Sequence, residues 1–250
     1  MKDIWTDSTE KRGVKNDLRR VGAMFCRREF IKISAMGIAG LWGWQAIGEA
    51  QTIKKGGKKM YTPKDYSKLI GMEGFSENLL KIHFGLYQGY VTNTNKVLDT
   101  VAQLLKEDKT GTPEWAELHR RLGWEFNGMR LHEYYFENLG GRGQLNKDSK
   151  FGKKLSEDFG NYGNWEKAFR MVGSMRGIGW AVLYQDASNG RLINFWINEH
   201  DTGHPAGGNP ILIMDVFEHA YMPDYGTKRV DYISAFFKNV NWSAVEGRIK

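Results

Sequence analysis

Apolar and polar residues alternate along this chain in three textures. Between Ser76 and Leu105 the apolar positions recur at helical spacing. Leu79, Leu80, His83, Tyr87, Tyr90 and Val91 fall on or near one face, Leu98, Val101 and Leu105 continue it, and Ser76 is placed to cap the first turn. Thr110-Gly111-Thr112-Pro113 interrupts the pattern, and Pro113 suits the opening of a second helix over about Glu114–Asn138, ended by Gly140-Gly141. Two long helices separated by so short a break predict an antiparallel hairpin with His83 and His132 facing each other across its interior. Beyond Gly141 the texture changes. Short helical stretches near Lys153–Asp158 and Trp165–Val172 lead into Gly177–Tyr184, a turn-forming Asp186–Gly190, and Arg191–Ile197, which together read as a β-hairpin. Ile211-Leu212-Ile213-Met214 predicts a third strand, and Val230–Val240 and Asn241–Ile249 close the chain as helices. The class is α+β: a long helical hairpin over 62–141, then an α/β part over 142–250 with a three-stranded antiparallel sheet flanked by helices.

The first sixty residues do not continue this pattern. Residues 1–26 are polar and of mixed charge, with neither helical nor strand period. Arg27-Arg28-Glu29-Phe30-Ile31-Lys32 then precedes a moderately apolar stretch, Ile33–Trp44, and a small-residue end, Gly48-Glu49-Ala50. That order predicts an export signal over 1–50, cleaved in the mature protein, and the paired arginines followed by Phe and Lys look like a twin-arginine signal. The expected destination is the periplasm or another exported location. The competing reading is an amphipathic or anchoring N-terminal helix. Residues 51–61, with Lys54-Lys55-Gly56-Gly57-Lys58-Lys59, read as a flexible linker.

Composition changes little. The 250 residues are 41% hydrophobic and 26% charged, which suffices for one or two globular cores. The net charge of +7 is scattered, with no Lys/Arg block interleaved with aromatics, so nucleic acid is not an expected partner. A mild positive field favours a small anion. Cys26 is the single cysteine, which excludes an intrachain disulfide and a thiolate metal site. No run is long and apolar enough to predict a membrane span in the mature chain.

Candidate chemistry centres on Asp215-Val216-Phe217-Glu218-His219-Ala220-Tyr221. Read as the start of a helix after the third strand, it puts Asp215 and His219 on one face and points Glu218 elsewhere. A carboxylate beside an imidazole suits a divalent or trivalent transition metal, although most such pairs on helices are solvated or capping. Of the six histidines, His119 lies in a charged segment and reads as solvated, and His204 sits in a Gly/Pro loop where it bonds locally. His83 and His132 lie among apolar and aromatic residues, which fits core histidines as well as ligands.

Asn127-Gly128-Met129-Arg130-Leu131-His132-Glu133-Tyr134-Tyr135-Phe136, His83–Val91, Gly177-Ile178-Gly179-Trp180-Ala181 and Asn241-Trp242, in this order, resemble the iron/manganese superoxide dismutases. The resemblance runs from about Lys64 to Ile249, and the C-terminal signature D-x-W-E-H-A-Y is matched except that Phe217 stands for Trp. It implies one Fe or Mn ion per subunit on His83, His132, Asp215 and His219. It implies that Tyr90 and His200 gate the site and relay protons, with His200 bonding the solvent on the metal, and that Trp180, Tyr135 and Phe136 wall the pocket. Arg229 would lie near the entrance, and Glu218 would cross a two-fold interface to the partner's His219 in a homodimer or dimer of dimers. The implied substrate is superoxide anion.

Two departures accompany the resemblance. His83 and Tyr90 are seven apart, one fewer than is usual in the family, and Leu86 stands where a histidine commonly precedes that tyrosine by one turn. Gly128 offers no side chain at one of the two places from which the family holds its solvent, which leaves the role to His200 at the other. The alternatives are a mononuclear iron oxygenase built on two histidines and a carboxylate, and an exported non-catalytic scaffold or metal-binding protein of the same fold.

Overall fold

Ser76 starts the first long helix in the structure, a computed structural model that describes residues 60–250. The expected export signal, its twin arginines and nearly all of the linker lie outside the described residues. Helix α1 spans Glu77–Lys106, and the Ser76 side chain accepts a 3.0 Å bond from the Leu79 amide, satisfying a donor that a helix start leaves bare. Helix α2 spans Pro113–Glu137, with Pro113 in its first turn and Thr112 accepting from the Trp115 amide. The six residues between them fold α2 back along α1, as the break in the pattern predicts.

Helices α3 (Lys150–Phe159) and α4 (Tyr162–Gly173) follow, capped by Ser149 and Asn161. Strands β1 (Trp180–Asp186), β2 (Leu192–Ile197) and β3 (Gly208–Asp215) form one antiparallel sheet in the order β2-β1-β3. β1 lies in the middle and is buried from Trp180 to Gln185, which is why it reads as a continuous apolar run rather than an alternating one. Its register sets Trp180 opposite Asp215. A 3₁₀ turn (Glu218–Ala220) and helices α5 (Met222–Tyr225), α6 (Arg229–Lys238) and α7 (Trp242–Glu246) complete the chain. Among the described residues no helix is long and apolar enough to cross a membrane.

One expectation is corrected here. Asp215 does not open a helix; it is the last residue of β3, because pairing with β1 continues through it and the Val216 amide still bonds the Gly179 carbonyl. The Asp215 side chain then turns the chain, its Oδ1 accepting the Phe217 amide at 2.8 Å. Asp215 and His219 meet across this turn, not along a helical face.

The hairpin and the sheet share one core. Tyr135 of α2 stacks with Phe236 of α6 at 6.0 Å, and the Asn138 side chain donates to the Ile213 carbonyl. Gly141 lets the chain leave the hairpin against the C-terminal segment: a Cβ there would lie 2.3 Å from the Val240 carbonyl oxygen. Arg248 ties both halves, donating to Asn138 Oδ1, to the Ile211 carbonyl at 2.9 Å and to Glu137 at 3.1 Å.

Candidate metal centre

His83 comes from α1, His132 from α2, Asp215 from the end of β3 and His219 from the 3₁₀ turn. One nitrogen or oxygen atom from each lies within 4.8 Å of all the others. Asp215 Oδ2 is the hub, 3.1 Å from His83 Nε2, 3.2 Å from His219 Nε2 and 3.6 Å from His132 Nε2. Donor atoms about 2.1 Å from one ion, at angles of about 90° to 120°, stand roughly 3.0–3.6 Å apart, so the separations fit a single ion. The donor set fits as well. His132 Nδ1 bonds the Gly128 carbonyl at 2.6 Å, and a carbonyl only accepts, so that nitrogen carries the proton and Nε2 is a bare lone pair. His132 Nε2 is buried with no hydrogen-bond partner among the described residues.

Burial sets the charges. Desolvation pushes His83 below the ordinary histidine range against the pull of its bond to Asp215, and it pushes His132 well below it. Burial alone would raise the Asp215 carboxyl, but the charge and hydrogen bond of His219, with the bond to His83, hold it far below the usual carboxylate range. His83 and His132 are therefore neutral, and Asp215 ionised, at neutral pH.

The unbroken α1 settles the seven-residue spacing: His83 is fully buried in the cluster, and Tyr90, two turns on, stacks on the His132 ring at 5.2 Å. Tyr90 Oη lies 2.7 Å from His200 Nε2, and Trp180 Nε1 donates to His200 Nδ1 at 3.1 Å. Indole is a donor only, so His200 Nδ1 is bare and its Nε2 carries the proton, donating to Tyr90. The Tyr90 hydroxyl keeps its own proton for another acceptor. Both His200 nitrogens are thus engaged within the protein, Nε2 with Tyr90 and Nδ1 with Trp180. Burial lowers His200 to about 4 and raises the Tyr90 phenol above its ordinary value, so both rings are uncharged around neutrality.

Gly128 has a reason of its own. A Cβ there would lie 2.5 to 2.9 Å from three carbons of the Tyr90 ring, so the tyrosine fills the space that a side chain at 128 would need.

The other expected site residues fall as follows. Trp180, Tyr135 and Phe136 are fully buried and wall the cluster, Trp180 edge-on to His132 at 5.1 Å and the other two against His83 at 5.1 and 5.0 Å. Glu218 is exposed. Arg229 bonds the Met175 and Gly177 carbonyls, each at 2.6 Å, and Tyr221 Oη at 3.1 Å, so it fastens the loop before β1. His119 is exposed and stacks on Trp115. Three contributors were given no role at the site by the sequence. Trp124 packs edge-on to His200 at 4.9 Å, Phe217 lies 4.9 Å from the same ring, and Tyr232 Oη donates to the Asp215 carbonyl at 2.6 Å. Only Phe217, as a departure inside the signature, carried a signal.

A buried centre of three imidazoles and one carboxylate, set where a helical hairpin meets an antiparallel sheet, makes this a mononuclear non-haem metalloprotein. Comparison with known proteins narrows the class. Residues 147–248 match the family model for the C-terminal domain of iron/manganese superoxide dismutases. The chain is 32% identical over 199 residues to the superoxide dismutase [Fe] of Saccharolobus solfataricus, covering 77% of this chain and 94% of that protein. It is 35% identical over 183 residues to the superoxide dismutase [Fe] of Cupriavidus metallidurans, covering 71% and 89%. It is 33% identical over 174 residues to the superoxide dismutase [Mn] 2 of Haloferax volcanii, covering 69% and 86%. The chain belongs to the iron/manganese superoxide dismutase family.

Proposed function

We propose that the protein converts superoxide to oxygen and hydrogen peroxide at one iron or manganese ion held by His83, His132, Asp215 and His219. The observation that carries this reading is the convergence of three imidazole nitrogens on Asp215 Oδ2, in a chain of this family. When bound, the ion supplies the alternation between +3 and +2 by which one superoxide gives up an electron and a second accepts one. The rest is the work of the chain. Two protons are consumed for each peroxide formed; Tyr90, whose hydroxyl proton is free, delivers them one at a time, the Nε2–H of His200 steadies the phenolate this leaves, and solvent returns the proton to the Tyr90 oxygen. Trp180, Tyr135 and Phe136 keep the ligand rings in place and bulk water out. Tyr232, with its bond to the Asp215 carbonyl, holds the hub at the strand end.

The test is superoxide consumption per bound metal, on protein loaded separately with iron and with manganese. Turnover no faster than the free ions would leave the non-catalytic scaffold. An oxygen-consuming reaction with an organic substrate would instead favour the oxygenase alternative. Relatives named for iron and for manganese both match at similar identity, so metal analysis of protein from its native host decides the ion.

The assembly follows from the same reading. Support for a dimer comes from Glu218, exposed beside His219, and from Ile82, Leu86 and Met222, apolar and exposed on α1 and α5, which pack against each other. Isologous contacts come in pairs, so Glu218→Ala removes two at once and is expected to raise the dimer dissociation constant and to lower bound metal together. A wild-type chain sedimenting as a monomer at micromolar concentration would exclude this.

Export is proposed on the twin-arginine pattern alone. Arg27→Lys with Arg28→Lys is expected to leave the protein in the cytoplasm with processing near Ala50 lost, as read by cell fractionation and mass spectrometry. Unchanged delivery would assign the arginines no such role.

A further inference from the structure

His204 lies outside the ligand cluster, in the loop between β2 and β3 that carries His200. Its Nε2 is 2.7 Å from the His200 backbone carbonyl, and its Nδ1 is 2.8 Å from Tyr184 Oη. A carbonyl oxygen only accepts, so His204 Nε2 carries the ring proton, and the bare Nδ1 must accept from the Tyr184 hydroxyl. Tyr184 and Trp180 are both on β1, four residues apart and therefore on one face of the strand. The central strand thus grips His200 twice: Trp180 holds the ring at Nδ1, and Tyr184, through His204, holds the backbone.

We propose that His204 is a positioning residue for proton delivery, fixing the His200 ring at hydrogen-bond distance from Tyr90. Asp201, Thr202 and Gly203 are exposed, and Thr202 bonds Asn198 within the loop. His200 itself is buried between Trp124, Trp180 and Phe217, and its ring is held at Nδ1 by Trp180 and at Nε2 by Tyr90, so what remains to be fixed is the backbone that delivers it. The His204 bond to the carbonyl of residue 200 supplies that restraint. Tyr184 is 5% exposed and lies in the central strand, so the restraint is referred to the middle of the sheet. The tautomers follow in one direction, from the Tyr184 hydroxyl to His204 and from His204 to the His200 carbonyl, and each bond has one donor and one acceptor. His204 touches neither substrate nor metal ligands, and its effect passes entirely through His200. The inference depends on the dismutase reading only where turnover is measured.

The test uses His204→Phe, which keeps a ring and removes both bonds, and His204→Gln, whose amide can again donate to the carbonyl and accept from Tyr184. Imidazole nitrogen resonances of His200 in the metal-free protein report its tautomer and the bond to Tyr90 without reference to activity. In His204→Phe they are expected to lose the single Nε2–H signature, and turnover per bound metal is expected to fall about tenfold, the lower end of losses for supporting hydrogen bonds, with metal content kept. His204→Gln is expected to restore both. Tyr184→Phe tests the same connection without touching the loop and is expected to broaden the His200 signature with a smaller loss of turnover, which keeps the question open to refutation should His204→Phe fail to fold. A wild-type His200 signature in His204→Phe or, if that variant does not fold, in Tyr184→Phe would overturn the proposal. Altered resonances in a protein that does not dismutate superoxide even as wild type would overturn the dismutase reading and leave the positioning role standing.

Discussion

Asp215→Ala is expected to leave less than about one-tenth of the wild-type metal bound after dialysis, and no measurable dismutation. Three imidazole nitrogens group around Asp215 Oδ2, and this carboxylate is the one anionic donor in the set. Without it, three neutral rings face a cation of charge +2 or +3, and a buried ion lacking an anionic partner is strongly disfavoured. The substitution also frees the Phe217 amide, which Asp215 Oδ1 accepts, and an unsatisfied buried donor costs about 1–3 kcal/mol. Asp215→Asn separates the two effects. Its amide oxygen still accepts the Phe217 amide, so the metal-free protein should unfold at a higher temperature than Asp215→Ala, though below wild type because the charge held by His219 and His83 is gone, while metal binding stays weak. Metal analysis with thermal unfolding of both variants checks this. A full equivalent of metal in Asp215→Ala would remove Asp215 from the ligand set.

His200→Ala is expected to keep the metal and to lose about 10²-fold in turnover, the lower end for a lost proton-transfer group. It deprives Tyr90 of its donor and leaves the buried Trp180 N–H without its acceptor. His200→Gln can accept from Trp180 and donate to Tyr90, and is expected to fall only several-fold. Titration enters differently from what the histidine alone would lead one to expect. An unperturbed imidazole would give activity an acid limb near pH 6.5, but burial brings His200 to about 4. Activity should therefore show no His200 limb between about pH 5 and 8. The stability effect has a definite sign. The unfolded chain takes up the His200 proton first, so stability falls as pH drops from the ordinary histidine range through about 4, and is unaffected above that range. His200→Gln removes this contribution, and wild type and variant should diverge in unfolding midpoint only below about pH 6. Parallel pH profiles would show that the ring is charged, or exposed, in the folded protein.

The elements were legible where local chemistry repeats the fold. Ser76 and Thr112 cap the helices they precede, Asp186–Gly190 turns between the strands it separates, and the apolar run after Asn209 is the third strand. The four donors were legible through the dense signature around Asp215 and through the histidines of the hairpin. What the sequence hid depends on long-range register. Asp215 ends a strand because Trp180 lies across from it, and hydrophobic period cannot separate the last strand residue from the first helical one when both are buried. The engagement of both His200 nitrogens requires Trp180 and Tyr90, 20 and 110 residues away, to arrive at the same ring. His204, in its Gly/Pro loop, looked like a residue bonding locally. It does bond locally, to residue 200, but its significance comes from Tyr184 on the far side.

Gly128 and Tyr90 also constrain how this chain can change over time. Because the tyrosine ring occupies the volume a residue-128 side chain would need, the two positions behave as a single locus under mutation. A larger residue at 128 arriving first meets the ring and is selected against. The same change after Tyr90 has been lost is tolerated sterically, but arrives in a protein that has already lost the Tyr90–His200 bond. Substitutions at contacting positions are non-additive, and here the sign of one depends on the other. A lineage carrying this pair therefore has no easy single-step path to an arrangement that holds its solvent from position 128.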